Sequence, residues 1–294
     1  MDRFLFLTFD GLSRGAVYAA FALALVLIWR AARIVNFAQG AMAVATVYAG
    51  YSVTNATGSY WLGFVVAIVG GLVLGAAVER VVMRFVDHSS PLNGVVVALG
   101  LVLIIQGVLG MIYGNEFLPA PTAFSRDAFE VGGVALLSRY DIFVFASVGA
   151  VVVLLTLLFT RTPTGLRMRA AAFAPDVSRL LGVPVGGMLT LGWALAAAVG
   201  SLAGLLVIPT ELGLHPTAMD VVFISAFTAA VLGGLDSPIG AVIGGLVVGL
   251  LLSYVSGYLG ATVAPMAVLI LLVVVLLGRP DGLFTRARTK ARAA

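Results

Sequence analysis

The chain contains no cysteine, which excludes disulfides, thiolate metal sites and cysteine nucleophiles. Only two histidines occur in 294 residues, His88 and His215, and they lie too far apart to suggest a histidine metal cluster. Lys290 is the sole lysine, so a phosphate-binding loop of the form G-x-x-x-x-G-K-[ST] is impossible. No HExxH or paired-carboxylate arrangement occurs either. Catalytic, metal-ligating and cofactor-binding residues are therefore not expected. Charge is scarce as well: Asp, Glu, Lys and Arg make up 10% of the chain, against about 25% in a soluble domain.

Apolar residues fill the space left. They account for 61% of the chain, and its mean hydropathy is +1.13. Residues 34–78 and 237–278 carry no charge at all. This is the composition of a protein in lipid, with room for roughly eight or nine helices of about 20 residues each. The apolar runs are continuous, whereas the strands of a membrane barrel alternate apolar and polar residues. The fold class is thus all-α, a polytopic membrane helical bundle forming one domain over residues 1–294. Expected spans are 12–29, 35–54, 61–82, 93–113, 141–160, 188–208, 218–234, 239–257 and 262–278. The span at 218–234 is the weakest and reads equally as a half-helix. The opening MDRFLFLTFDGLSRG has too short an apolar stretch for a signal peptide, so it is expected to stay on the mature chain.

Orientation follows from the basic residues near span ends. Thirteen of the seventeen fall on one side: Arg30, Arg33, Arg80, Arg84, Arg161, Arg167, Arg169, Arg179, Arg279, Arg286, Arg288, Lys290 and Arg292. Arg3, Arg14, Arg126 and Arg139 fall on the other. The first side is cytoplasmic, which puts the N-terminus outside and the C-terminus inside. The net charge of +4 sits in membrane-flanking loops and gives no reason to expect nucleic acid as a partner. The basic tail Thr285–Ala294 reads as an anchor on anionic lipid heads.

Two loops stand out. The cytoplasmic loop 161–187 has room for a short helix, with Pro175 at the first helical position and Gly182 near the end. A helix there offers itself to a soluble partner. The outer loop 114–140 has a central Gly-Gly within Val131–Leu137, the pattern of a small hairpin or an interfacial turn. It is long enough to meet an external partner or simply to connect two spans.

Polar groups within the spans are few. Asn36, Gln39 and Gly40 stand at the start of a span; the amides either line a polar path, bind a partner helix, or cap and hydrogen-bond their neighbours. Gln106 carries the same readings. Glu79 and Arg80 lie at an inner span end, where they can pair or face water. Glu211, His215 and Asp220 gather near an outer boundary, and Asp236 sits beside an inner turn. Around Asp236, Gly233-Gly234 and Ser237-Pro238 break helix on both sides. The result is either a short loop or a discontinuous helix that presents backbone groups to a solute. GxxxG pairs, among them 71/75, 110/114, 200/204, 240/244 and 245/249, suit close helix packing.

Four segments together resemble one family. NFAQG at 36–40, TPTGLRMRAAAFAPDVSRLLGV at 162–183, VLGGLDSPIGAVIGG at 231–245 and GRPDGLF at 278–284 are similar to elements of the LivH-type permeases of branched-chain amino acid ABC importers. The resemblance runs end to end. It implies a bacterial inner-membrane permease with the fold of the vitamin B12-type importers. Implied partners are ATP-binding cassette subunits inside, a solute-binding protein outside, and a second permease, either LivM-like or another copy of this chain. The family's coupling segment falls on Ala174–Val183, with Pro175, Asp176, Arg179, Leu181 and Gly182 as its residues. The solute is a branched-chain or related amino acid, or alternatively urea, a short amide or a small organic acid. Where the family pattern often has Gly, this chain has Asp236. A self-sufficient secondary transporter would need buried ionisable groups and repeat symmetry, an enzyme would need clustered acids or a nucleophile, and a channel would have no use for a docking helix.

Overall fold

The computed structural model describes residues 2–86, 91–131, 134–210, 213–279 and 282–284. It is a helical bundle. In chain order its helices are α1 (Asp2–Ala32), α2 (Gln39–Thr57), α3 (Tyr60–Val81), α4 (Pro91–Tyr113), α5 (Arg139–Arg161), α6 (Pro163–Phe173), α7 (Pro175–Leu180), α8 (Val185–Val207), α9 (Asp220–Gly233), α10 (Pro238–Tyr258) and α11 (Ala264–Gly278). Among the described residues six helices, α1, α3, α4, α5, α8 and α10, are long and apolar enough to cross a membrane. The other expected spans correspond to α2, which is less apolar, and to α9 and α11. With 14 and 15 residues, α9 and α11 reach only about 21–23 Å at 1.5 Å per residue, short of a hydrocarbon core of about 30 Å.

A helix that is apolar all round belongs in a core. Helix α1 is buried on every face from Gly15 to Ile28, because small alanines alternate there with larger groups and let neighbours close in. It packs against α8, α9 and α10, while α8 also receives α2 and α3. At the periphery only 11% of the apolar window of α4 or α5 is buried, against 83% for α8. Their large aliphatic side chains face outward, as lipid-facing helices require.

Glycine sets the closest approaches. A Cβ on Gly245 would stand 2.4 Å from Ala19 Cα, and one on Gly249 would stand 2.3 Å from Gly15 Cα. On α3, a Cβ on Gly75 would stand 2.4 Å from Trp193 O and one on Gly71 3.0 Å from Ala197 O, both on α8. Where the hydrophobic effect gives no help, this backbone proximity supplies the packing contact. The pair at 110/114 behaves differently: Gly114 adopts φ +79° just after α4 ends.

In the segment between α4 and α5, β1 (Ala128–Val131) and β2 (Val134–Ser138) form an antiparallel hairpin. The Gly132-Gly133 pair expected at its tip lies outside the described residues. Ser138 and Asp141 then form a capping box that starts α5. Leu118 and Leu214 exchange backbone hydrogen bonds of 3.0 and 2.8 Å, tying this loop to the connection between α8 and α9.

Candidate functional site

The loop 161–187 holds two helices where the sequence suggests one. Thr162 caps α6 by accepting from Gly165 N at 3.1 Å, and Pro163 occupies the first turn. Gly165 lets α6 fold tightly back onto α5, since a Cβ there would meet Leu158 O at 2.1 Å. Met168 and Ala171 bury the inner face of α6. The extra helix was legible in the Thr-Pro pair, a helix-start signature.

Ala174 leaves helical geometry and Pro175 opens α7. Asp176 accepts from Arg179 at 2.7 Å along its exposed face. The helix stops in a Schellman motif: Val183 N donates to Ser178 O at 2.9 Å and Gly182 N to Arg179 O at 3.0 Å, with Gly182 at φ +79°. This cap leaves Leu180 at 88% exposure and Leu181 at 78%. Phe173 and Val177 are exposed beside them. Large apolar groups are thus displayed on polar-flanked helices between two spans, the arrangement expected of a protein-docking surface. Of these, Phe173, Val177 and Leu180 were not singled out by sequence reasoning, because nothing in the sequence says which face of so short a helix is covered.

The structure places Asn36 and Gln39 inside the bundle, both fully buried. Asn36 Nδ2 donates to Gln39 Oε1 at 3.0 Å, and Asn36 Oδ1 accepts from Ala38 N at 3.0 Å. Gln39 Nε2 reaches the Ala196 carbonyl, halfway along α8, at 2.8 Å. Helix α2 therefore begins deep in the bundle, and the amides satisfy the backbone where it does so. Of the readings open to them, the geometry matches hydrogen bonding to neighbours. Gly40 packs beside Met219.

Gln106 and Asp220 come together: Gln106 Nε2 lies 3.0 and 3.3 Å from the two carboxylate oxygens. His215 turns elsewhere, to Thr217 Oγ1 at 2.9 Å and Asn115 O at 3.1 Å, with its ring stacked on Phe117. Glu211 lies outside the described residues. Glu79 does not face water; it is buried and accepts a hydrogen bond from the Thr190 hydroxyl.

Between α9 and α10 the chain makes a tight turn. Ser237 caps α10 by accepting from Gly240 N at 3.0 Å. The last carbonyls of α9 are consumed, since Leu283 N donates to Leu232 O at 2.9 Å and Phe284 N to Gly233 O at 3.3 Å. A discontinuous helix with free carbonyls for a solute is not what forms here. Asp236 pairs with Arg33 at 2.5 Å. Only Gly234 takes a positive φ, +95°, so the turn does not demand glycine at position 236. Among the described residues no group of three His, Asp or Glu could hold a metal ion.

Known proteins converge on one family. The high-affinity branched-chain amino acid transport system permease protein LivH of Salmonella typhimurium is 28% identical over 294 residues, covering 95% of this chain and 94% of its own. LivH of Escherichia coli is 28% identical over 296 residues with the same coverage. BraD of Pseudomonas aeruginosa, a permease protein of the same description, is 26% identical over 290 residues and 94% of each chain. A solved structure, PsaBC from Streptococcus pneumoniae in complex with Fab, aligns over 95% of this chain and 91% of its own at 13% identity and a TM-score of 0.49. The chain is a multi-pass integral protein of the inner membrane, a LivH-type transport subunit. The profile of the branched-chain amino acid transport system permease component matches residues 7–278, and the chain belongs to that family.

Proposed function

We propose that this chain is the membrane path of an ABC importer for branched-chain or related amino acids, with ATP hydrolysed by separate subunits docked on α6 and α7. The observation that carries the reading is the exposed apolar cluster Phe173, Val177, Leu180 and Leu181 beside the Asp176–Arg179 pair. It lies on the arginine-rich side, between two spans. The short helix seats in a groove of its partner, as amphipathic helices commonly do. Closure of the ATPase pair then moves α6 and, through its buried Met168 and Ala171, the bundle.

In this reading the bundle has the vitamin B12-importer type of fold, with eight or nine crossing helices counting α2 and α9 or α11. A second permease completes the path and an external binding protein delivers the solute. Pro175, Asp176, Arg179, Leu181 and Gly182 form the coupling contact. Asn36, Gln39 and Gly40 hold α2 in place, while Gln106 with Asp220 offers an exposed polar pair on the pathway. Gly233, Gly234 and Asp236 shape the inner turn. ATP changes conformation only through a difference in affinity between the two states.

Affinity purification from the native membrane tests this. A P-loop ATPase and a second hydrophobic permease should co-purify with the wild-type chain. Arg179→Glu with Leu180→Asp should lose the ATPase while the chain still inserts. Solute uptake that persists without ATP and without any co-purifying subunit overturns the reading. Titration of the associated binding protein then separates amino acids from urea, short amides and organic acids.

A further inference from the structure

At the arginine-rich end of the bundle a cleft opens between α1, α5, α6 and α10. Two cavities of about 330 and 320 Å³ meet there, sharing Leu27, Arg30, Phe159 and Arg169 as walls. Helix α5 packs on α1 and has no substantial contact with α10, which leaves the furrow between them open. Its mouth is charged. Arg30 lies over the Phe159 ring at 5.9 Å, and Arg169 is exposed on α6. Arg33 nearby is already answered by Asp236 at 2.5 Å. Among the described residues no carboxylate lies within ion-pair distance of Arg30 or Arg169.

Away from the mouth the furrow is apolar, lined by Leu23, Val26, Leu155 and Val242. From Arg30 back to Leu23 it follows α1 for about 10 Å at 1.5 Å per residue. Its rim carries Ile239 at 75% exposure. Charge and apolar wall are therefore separated along the helix axes, in the order in which a phospholipid separates phosphate from acyl chain. Arginines with no carboxylate in direct contact attract anionic headgroups, and basic pockets between spans hold them.

We propose that this cleft binds one anionic phospholipid, its phosphate held by Arg30 and Arg169 and an acyl chain lying along Leu27, Leu155 and Val242. The headgroup then bridges α1, α5 and α6, joining the peripheral α5 to the core at the point where the cytoplasmic segment begins. None of this depends on the identity of the transported solute.

The test is lipid retention by the full chain, purified with its co-assembling subunits in mild detergent and read by native mass spectrometry and lipid extraction. Anionic phospholipid should be enriched at least five-fold over its share of the source membrane. Phosphatidylglycerol should raise the melting temperature, and phosphatidylcholine or inorganic phosphate should not. Arg30→Gln combined with Arg169→Gln should abolish both effects. Thr156→Trp is a second, independent variant: Thr156 is an exposed wall residue on α5, and an indole there fills the furrow with both arginines intact. It should also abolish retention. Equal retention of anionic and zwitterionic lipid overturns the proposal, as does full retention by both variants or stabilisation by inorganic phosphate alone. So does a cross-link from Thr156→Cys to another polypeptide across the cleft, a clean probe in a chain without cysteine.

Discussion

The Gln39 side chain fills the space that Gly200 leaves open on α8. A Cβ on Gly200 would stand 2.2 Å from Gln39 Nε2, the atom that donates to the Ala196 carbonyl at 2.8 Å. Asn36 then leans on Gln39 at 3.0 Å. One missing methyl group thereby permits the amide network that begins α2. Gly200→Ala should displace Gln39 and destabilise the protein by about 1–3 kcal/mol, the cost of a buried polar group losing its partner. Adding Gln39→Ala should cost less than the sum of the two single changes, since both disrupt one contact. Tryptophan-fluorescence melting in nanodiscs reads both; strict additivity would show that the two residues are not coupled.

A second prediction concerns the α1–α10 seam. Gly245→Val places a branched side chain where Ala19 backbone atoms lie at 2.4 Å. Backbone on both sides cannot retreat as a side-chain tip can, so the loss should be at least the roughly 1–3 kcal/mol of ordinary overpacking. Gly186→Val serves as the control, because nothing lies within 4 Å of a Cβ there. Comparing the yield and melting temperature of the two variants decides it.

Gly182 should matter through backbone geometry. Its φ of +79° suits glycine and strains other residues, although a Cβ there meets no neighbour. Gly182→Val should loosen the Schellman cap of α7 by about 1–2 kcal/mol, with little change in global melting because α7 is short and exposed. On the proposed reading, ATP-driven uptake falls at least ten-fold while membrane insertion is unaffected. Hydrogen exchange at Val183 N, which donates to Ser178 O, reports the cap directly.

The Arg33–Asp236 pair should contribute little to stability despite its 2.5 Å distance. Both side chains are about half exposed, 49% and 47%, and exposed pairs are worth about 0–1 kcal/mol. Asp236→Gly should therefore fold and melt close to wild type, since the turn takes its positive φ at Gly234. A loss above about 2 kcal/mol in the same melting assay would refute this.

The sequence alone determined that the chain lives in lipid and where most helices run. Those properties are local: apolar run length, charge placement and the proline and glycine signals at helix ends. It also marked Pro175 and Gly182 as the bounds of a short helix, because helix-start and helix-stop chemistry is carried by single residues. Tertiary structure decided which polar groups meet. Gln39 is joined to Ala196 across 157 positions of chain, and Arg33 to Asp236 across 203. In a chain so uniformly apolar, the rotation of each helix leaves little periodic trace in the sequence. Burial of Asn36, Gln39 and Glu79, exposure of Leu180, and the opening of the cleft at Arg30 were settled only by how small residues allow the helices to close on one another.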